Sequence, residues 1–250
     1  MASFESFDGT KLAYDVDGDG TPVLLLHGFA TDVYTNWVRP GITDALDRAG
    51  FRTIALDQRG HGMSDKPHDD AAYAGDAMVK DAQALLDHLG IERTLGFGYS
   101  MGGRNLLSLL LIDDRIRGAV LGGVGGNMLE ARAFGSAISD AMLAEDKSAI
   151  TNNFAKSFRD FADLTRADRV ALAAVMRQSR PPLEGLDAID IPVLILTAEN
   201  DPLAHSPETL AAAIPGARTA VVGGTHLNVV NNPEFHRAAI EFLSGIRELV

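Results

Sequence analysis

The hexapeptide Gly98-Tyr99-Ser100-Met101-Gly102-Gly103 constrains this chain more than any other stretch. It follows an apolar run at 94–97 and opens a second at 106–112. A strand that halts at a glycine-flanked serine and turns directly into a helix is the nucleophile-elbow pattern, G-x-S-x-G. The turn is sharp and strained, so the positions two before and two after the serine must be small, and both are Gly. Such a turn lifts the hydroxyl clear of the backbone. The helix start beyond it aims N–H groups and the positive end of a dipole at any oxyanion formed nearby. The competing reading is a glycine-softened strand-to-helix turn with an ordinary N-cap serine. The surroundings of the hexapeptide separate the two.

Those surroundings alternate short apolar runs with helical patterns. Residues 3–7 and 11–16 flank Asp8-Gly9, a hairpin turn signal. Residues 23–26 are continuously apolar, as expected of a strand covered on both faces, and end at His27-Gly28-Phe29. Residues 43–49 read as the end of a helix, with Gly50 just past it. A second buried strand at 52–56 stops at Asp57-Gln58-Arg59-Gly60-His61-Gly62-Met63-Ser64-Asp65. Met78, Ala82, Leu85, Leu86 and Leu89 recur at helical spacing, and Gly90 closes that helix. Residues 116–121 predict a further strand.

The rhythm breaks at the glycine-rich exit 122–126, and residues 128–180 predict three helices with no strand between them. Alternation resumes with a strand at 192–197, a helix at 207–213 and a strand at 217–222. Ser206 is expected to cap the helix, with Pro207 at its first position. The last helix starts at Pro233 and is expected to bury Phe235, Ala239, Phe242 and Ile246. This order predicts an α/β fold: a doubly wound, mostly parallel eight-stranded sheet. Residues 1–126 and 183–250 are expected to form the core domain. Residues 127–182 are expected to be a short helical cap over the strand C-termini, where such sheets bind ligands.

Composition narrows the function classes. A chain of 250 residues, 46% of them hydrophobic, can bury one large core. A net charge of −12 with no Lys/Arg cluster argues against nucleic acid or an anionic membrane as partner. The absence of cysteine rules out disulfides, thiol catalysis and thiolate-held metals, and suits the cytoplasm. Residues 1–10 lack the basic and apolar regions of a signal peptide, and no apolar run is long enough to span a bilayer. A cytoplasmic protein is expected, and a homodimer is compatible with the chain. No H-x-x-x-H or H-E-x-x-H spacing occurs and no glycine loop opens a helix with a following Lys, so neither metal nor cofactor is expected.

A serine nucleophile needs a base, and the base needs an orienting carboxylate. In an elbow fold these follow in the order Ser, acid, His, each in a loop after a strand. His226 lies between the final strand and the final helix and is the candidate base among seven histidines. Asp201, in Ala198-Glu199-Asn200-Asp201-Pro202, fills the acid position, with Glu199 as its neighbour in the same loop. Acyl transfer also needs two N–H donors for the oxyanion. Met101 N–H, just after the nucleophile, and Phe29 N–H, after the first core strand, are the candidates. His27 is expected to shape its loop. His61, His68, His88, His205 and His236 have mundane readings as loop, helix-face or solvent histidines.

Taken together, His27-Gly28-Phe29, the 57–65 segment, residues 98–103, Asp201 and His226 resemble the α/β-hydrolase superfamily over essentially the whole chain. The similarity is to its capped, bacterial carboxylesterase-like branch. It implies a Ser100-Asp201-His226 triad, a Phe29/Met101 oxyanion hole and a small carboxylic ester as substrate. It leaves open a cofactor-free perhydrolase or C–C hydrolase on the same triad, and a hydrolase-like receptor with low turnover. Ala198 departs from the glycine that usually opens the acid loop in this family. Ser100 sets the chain apart from dehalogenases, which use an aspartate nucleophile. Met128, Phe134, Met142, Phe154, Phe158, Phe161 and Met176 are expected mostly to pack the cap, leaving an apolar pocket of modest volume suited to short acyl groups. Arg132, Arg159 and Arg180 are candidates for a substrate carboxylate, against exposure on the cap surface.

Overall fold

A computed structural model describes residues 1–130, 135–178 and 180–250. Arg132 and Phe134 lie outside the described residues. The chain begins with an antiparallel hairpin of β1 (Ala2–Glu5) and β2 (Lys11–Asp17), turning at Asp8-Gly9. Strand β2 also runs antiparallel to β4 (Phe51–Leu56). All further pairings are parallel, through β3 (Thr21–Leu26), β5 (Thr94–Tyr99), β6 (Ile116–Gly122), β7 (Val193–Asn200) and β8 (Arg218–Thr225). The eight strands lie in the order β1-β2-β4-β3-β5-β6-β7-β8. This is the doubly wound, mostly parallel sheet that the alternation predicts.

The helices are α1 (Ile42–Arg48), α2 (Ala77–His88), α3 (Met101–Leu110), α4 (Gly135–Leu143), α5 (Asn153–Thr165), α6 (Arg169–Arg177), α7 (Pro207–Ala213) and α8 (Pro233–Gly245). Strand β3 shows how the sheet holds them. Leu24 and Leu26 pack with Leu85, Leu86 and Leu106 of α2 and α3. Val23 and Leu25 point the other way, to Ile42 and Leu46 of α1 and Phe235 and Leu243 of α8. All four β3 side chains are fully buried, which explains the unbroken apolar run; each contributes about 1.5–3 kcal/mol of burial.

A third cluster lies at the C-terminal ends of the strands. There Phe29, just past β3, and Met101, just past β5, pack with Ile138 and Met142 of α4, Ala155 and Ala162 of α5 and Leu172 and Val175 of α6. The helical segment between β6 and β7 thus has its own apolar core and rests on the strand ends. Arg159 does not meet the expectation of an exposed arginine or a substrate ligand. It is buried inside this segment, donating to the carbonyls of Ala141 (2.8 Å) and Ala144 (2.7 Å) and pairing with Asp163.

Two helix details differ from expectation. Ser206 makes no side-chain cap on α7; its backbone is left-handed at φ 51° and its carbonyl, not its hydroxyl, accepts the Thr209 N–H. In α8 the fully buried residue of the third turn is Leu243, with Phe242 only half-buried, because the face toward β6 and β7 is rotated by one position. Proline at the first position of both helices holds as expected.

Candidate active site

The elbow is built by steric exclusion. A Cβ on Gly102 would stand 2.0 Å from the Leu26 carbonyl oxygen, and one on Gly98 would stand 2.4 Å from the Gly102 oxygen. Backbone approaches this close let α3 start hard against β3 and β5. Between the glycines Ser100 takes φ 52°, ψ −110°, a strained conformation for a side-chain-bearing residue that costs on the order of 1–3 kcal/mol. Its N–H donates to the Gly122 carbonyl (2.8 Å), and its carbonyl accepts the Arg104 N–H (3.0 Å). Its hydroxyl caps nothing on α3. The N-cap reading therefore fails.

The hydroxyl instead donates to His226 Nε2 at 2.8 Å. His226 follows β8, and its Nδ1–H donates to Asp201 Oδ2 at 2.7 Å. Asp201 follows β7, and its other oxygen accepts the N–H groups of Leu203 (2.8 Å) and Ala204 (3.1 Å). Both carboxylate oxygens are thereby occupied and the side chain is fully buried. Glu199, expected in the same loop, lies exposed near the end of β7, which runs on to Asn200. Tyr99, next to the serine, donates its hydroxyl to the His226 carbonyl and fixes the loop that carries the imidazole. Burial pushes the Tyr99 phenol well above its ordinary range, so it stays a donor.

The second half of the site is the loop after β3. His27 is fully buried, and burial pushes its pKa down to about 4. The Gln58 N–H donates to His27 Nε2 (3.0 Å), so Nδ1 carries the proton and donates to the Gly28 carbonyl (2.8 Å). Gln58 also donates its side-chain amide to the His27 carbonyl (2.6 Å) and accepts from Asn105 of α3 (2.7 Å). This network ties the β3 loop to the elbow helix. Asn36 braces the other side: its Oδ1 accepts the Gly28 N–H at 3.0 Å. It sits on a π-helical turn, Tyr34–Val38, a distortion that recurs at functional sites. Asn36 carries no signal in the sequence, because it acts from an irregular turn; Gln58 falls in the 57–65 segment, but its partners are far away in sequence. Among the described residues, the N–H groups of Phe29 and Met101 donate to no backbone carbonyl.

The 57–65 segment supports that loop and stays clear of the serine. Asp57 accepts the N–H groups of Val33 (2.8 Å) and Met63 (2.7 Å). Arg59, with a fully buried side chain, forks onto Asp81 of α2 (2.6 and 2.7 Å) and reaches Asp8 of the first hairpin (2.8 Å). His61 lies buried with its ring edge-to-face against His27 (5.2 Å) and Phe29 (5.9 Å). His68 pairs with Asp168, His88 stacks on Phe4, and exposed His205 lines a cavity by the serine. Among the described residues, no group of three or more His, Asp or Glu could hold a metal ion, and no helix is long and apolar enough to cross a membrane.

Ser100 opens onto two cavities, of about 600 and about 200 Å³. Phe154, Phe158 and Met176 line the larger, and Phe158 and Phe161 the smaller, while Met128 and Met142 are buried packing residues. Half-buried Arg180 lines the larger cavity.

The sequence pattern of the alpha/beta hydrolase fold matches residues 21–171, which span β3, the elbow and most of the helical segment. The chain belongs to the alpha/beta hydrolase fold family. This alpha/beta hydrolase is 26% identical over 253 residues to a non-heme haloperoxidase of Rhodococcus erythropolis, covering 87% of the chain and 89% of that protein. It is 29% identical over 224 residues, 85% of its length, to the dihydrolipoyllysine-residue acetyltransferase component of an acetoin cleaving system from Pseudomonas putida. The match spans only 56% of that longer protein. Among solved structures, the esterase RhEst1 from Rhodococcus sp. ECU1013 superposes with a TM-score of 0.79 at 26% identity, over 98% of both chains.

Proposed function

We propose that this alpha/beta hydrolase cleaves a small carboxylic ester through an acyl-enzyme on Ser100. The observation that carries the reading is the unbroken line from Ser100 Oγ through the His226 imidazole to Asp201, with 2.8 and 2.7 Å contacts. A carboxylate on Nδ1–H holds the imidazole with the Nε2 lone pair facing the hydroxyl. Ser100 Oγ attacks the ester carbonyl carbon and its proton passes to Nε2. The oxyanion is received by the N–H groups of Phe29 and Met101. The intermediate collapses, the C–O bond breaks, and Nε2–H protonates the departing alkoxide. Water then attacks the acyl-enzyme with His226 again as base, releasing the acid and restoring Ser100.

Residues 127–182 act in this reading as a cap that shields the acyl-enzyme. The partner is a small-molecule ester, nucleic acid and membrane play no part, and the setting is the cytoplasm. A second reading keeps the acyl-enzyme but discharges it with hydrogen peroxide; the likeness to a non-heme haloperoxidase favours retaining it. Labelling with a fluorophosphonate, together with steady-state turnover of 4-nitrophenyl acetate and butyrate, tests the proposal. One equivalent of label on Ser100 and sustained turnover are expected. A single burst followed by silence supports a receptor, and labelling at Ser64 or Ser108 with Ser100 untouched removes the assignment.

A further inference from the structure

Among the described residues, the two cavities at Ser100 share only Phe29, Ser100 and Phe158 in their linings. The Phe29 and Phe158 rings meet edge-to-face with centroids 5.9 Å apart, a wall between the chambers. His226 lines the smaller, 200 Å³ chamber, while Met101 lines the larger, 600 Å³ one. We infer that the larger chamber takes the acyl part of the ester and the smaller one the leaving alcohol. The substrate class is then the ester of a bulky, apolar or arylalkyl carboxylic acid with a small alcohol. The inference rests on the ester-hydrolase reading above.

The assignment follows from where protons must go. Collapse of the tetrahedral intermediate requires Nε2–H of His226 to reach the leaving oxygen, so that oxygen sits on the imidazole side. The alkyl group attached to it enters the chamber that His226 lines. The oxyanion points at the N–H groups of Phe29 and Met101, and the remaining substituent on the carbonyl carbon, the acyl chain, faces the other chamber. Its volume falls within the range of about 300–1,000 Å³ typical of small-molecule pockets. The smaller chamber has about a third of the volume of the larger, so the bulkier half of the ester is better housed on the other side of the serine. Ile138, Phe154, Val175 and Met176 give the larger chamber an apolar side for the acid, alongside polar groups that include Arg180 and His205. The sequence-based expectation of short acyl groups is thereby revised: the room lies on the acyl side.

Two constitutional isomers decide it. Methyl 3-phenylpropanoate carries the aromatic ring on the acid, and 2-phenylethyl acetate carries the same ring on the alcohol. With the unaltered protein, kcat/KM from pH-stat titration, normalised to each ester's alkaline hydrolysis rate, should favour methyl 3-phenylpropanoate by at least about tenfold. Met176→Trp, which fills the larger chamber, should shrink that ratio, and Leu227→Trp, which fills the smaller one, should raise it. Equal normalised rates, or preference for 2-phenylethyl acetate, overturn the partition while leaving the hydrolase reading intact. Failure to turn over either isomer or methyl acetate removes the hydrolase reading itself, and the partition with it.

Discussion

Acidification should loosen the loop that carries the Phe29 N–H, and His61 supplies a large share of the reason. It is fully buried, its Nδ1–H donates to the Arg59 carbonyl (3.0 Å), and its Nε2 has no partner among the described residues. Burial, reinforced by neighbouring His27, pushes its pKa from 6.5 down to about 3. A histidine whose folded pKa is depressed favours the folded state fully above its unfolded pKa, and that contribution drains as pH falls toward the folded value. At pH 5 the unfolded chain gains RT ln(1 + 10^1.5), about 2 kcal/mol, by protonating such a histidine, whereas folded His61 gains almost nothing. At pH 7 the same quantity is only about 0.2 kcal/mol. His27, at about 4, adds a similar loss. Asp57 and Asp81, both raised by burial, act with the opposite sign, so the comparison must isolate one residue. Urea unfolding of the wild-type protein and of His61→Gln at pH 7 and pH 5 does so. The wild-type protein should lose about 2 kcal/mol more than the variant across that interval. Losses equal to within about 0.5 kcal/mol would show that His61 is not held neutral by burial, and the account of this loop would fail.

Asp201→Asn should keep the fold, since an Asn oxygen can still accept the Leu203 and Ala204 N–H groups. Its amide would then face Nδ1, force the proton to Nε2 and lower kcat by about 10⁴-fold, while exposed Glu199→Gln should cost less than about tenfold. The opposite ranking in folded proteins would make Glu199 the acid. Gly102→Ala, whose Cβ would stand 2.0 Å from a backbone oxygen, should cost about 3 kcal/mol or more and lower Tm by about 6 °C or more, or prevent folding. Gly245→Ala, with no atom within 4 Å of the new methyl, should leave Tm unchanged or raise it, and equal losses in the two variants would refute the packing account of the elbow.

The parallel strands were legible because burial on both faces removes polar alternation. The runs at 23–26 and 52–56 can only be interior strands in a chain of this size, and β3 and β4 fill those positions. The elbow was legible for a related reason: its glycines are demanded by backbone contacts, so the constraint is written in residue type. What escaped detection is held by long-range polar contacts. The link Gln58–Asn105 spans 47 positions and Arg59–Asp81 spans 22, and no local periodicity encodes either. Arg159 looked like a surface charge because helical spacing cannot tell a guanidinium in water from one that gathers carbonyls at a neighbouring helix end.

The same distinction bears on the site itself. Ser100, Asp201 and His226 each stand just after a parallel strand, so sheet order brings three residues spread over 126 positions into a hydrogen-bonded line. That geometry needs only the strands to be right, which is why a sequence that reveals its strands also reveals these residues. The loop after β3 is different. Phe29 follows β3, but the direction of its N–H depends on Asn36 holding Gly28 from a π-helical turn, and on buried, neutral His27 holding the same glycine's carbonyl. Side chains of α4, α5 and α6 line much of the larger chamber, while α5 and the loops after β3 and β8 line the smaller one. In the proposed reaction the Ser100-Asp201-His226 line rests on the sheet, whereas Met176, on α6, lines only the larger chamber, so Met176→Trp should change which ester is preferred while leaving that hydrogen-bonded line in place.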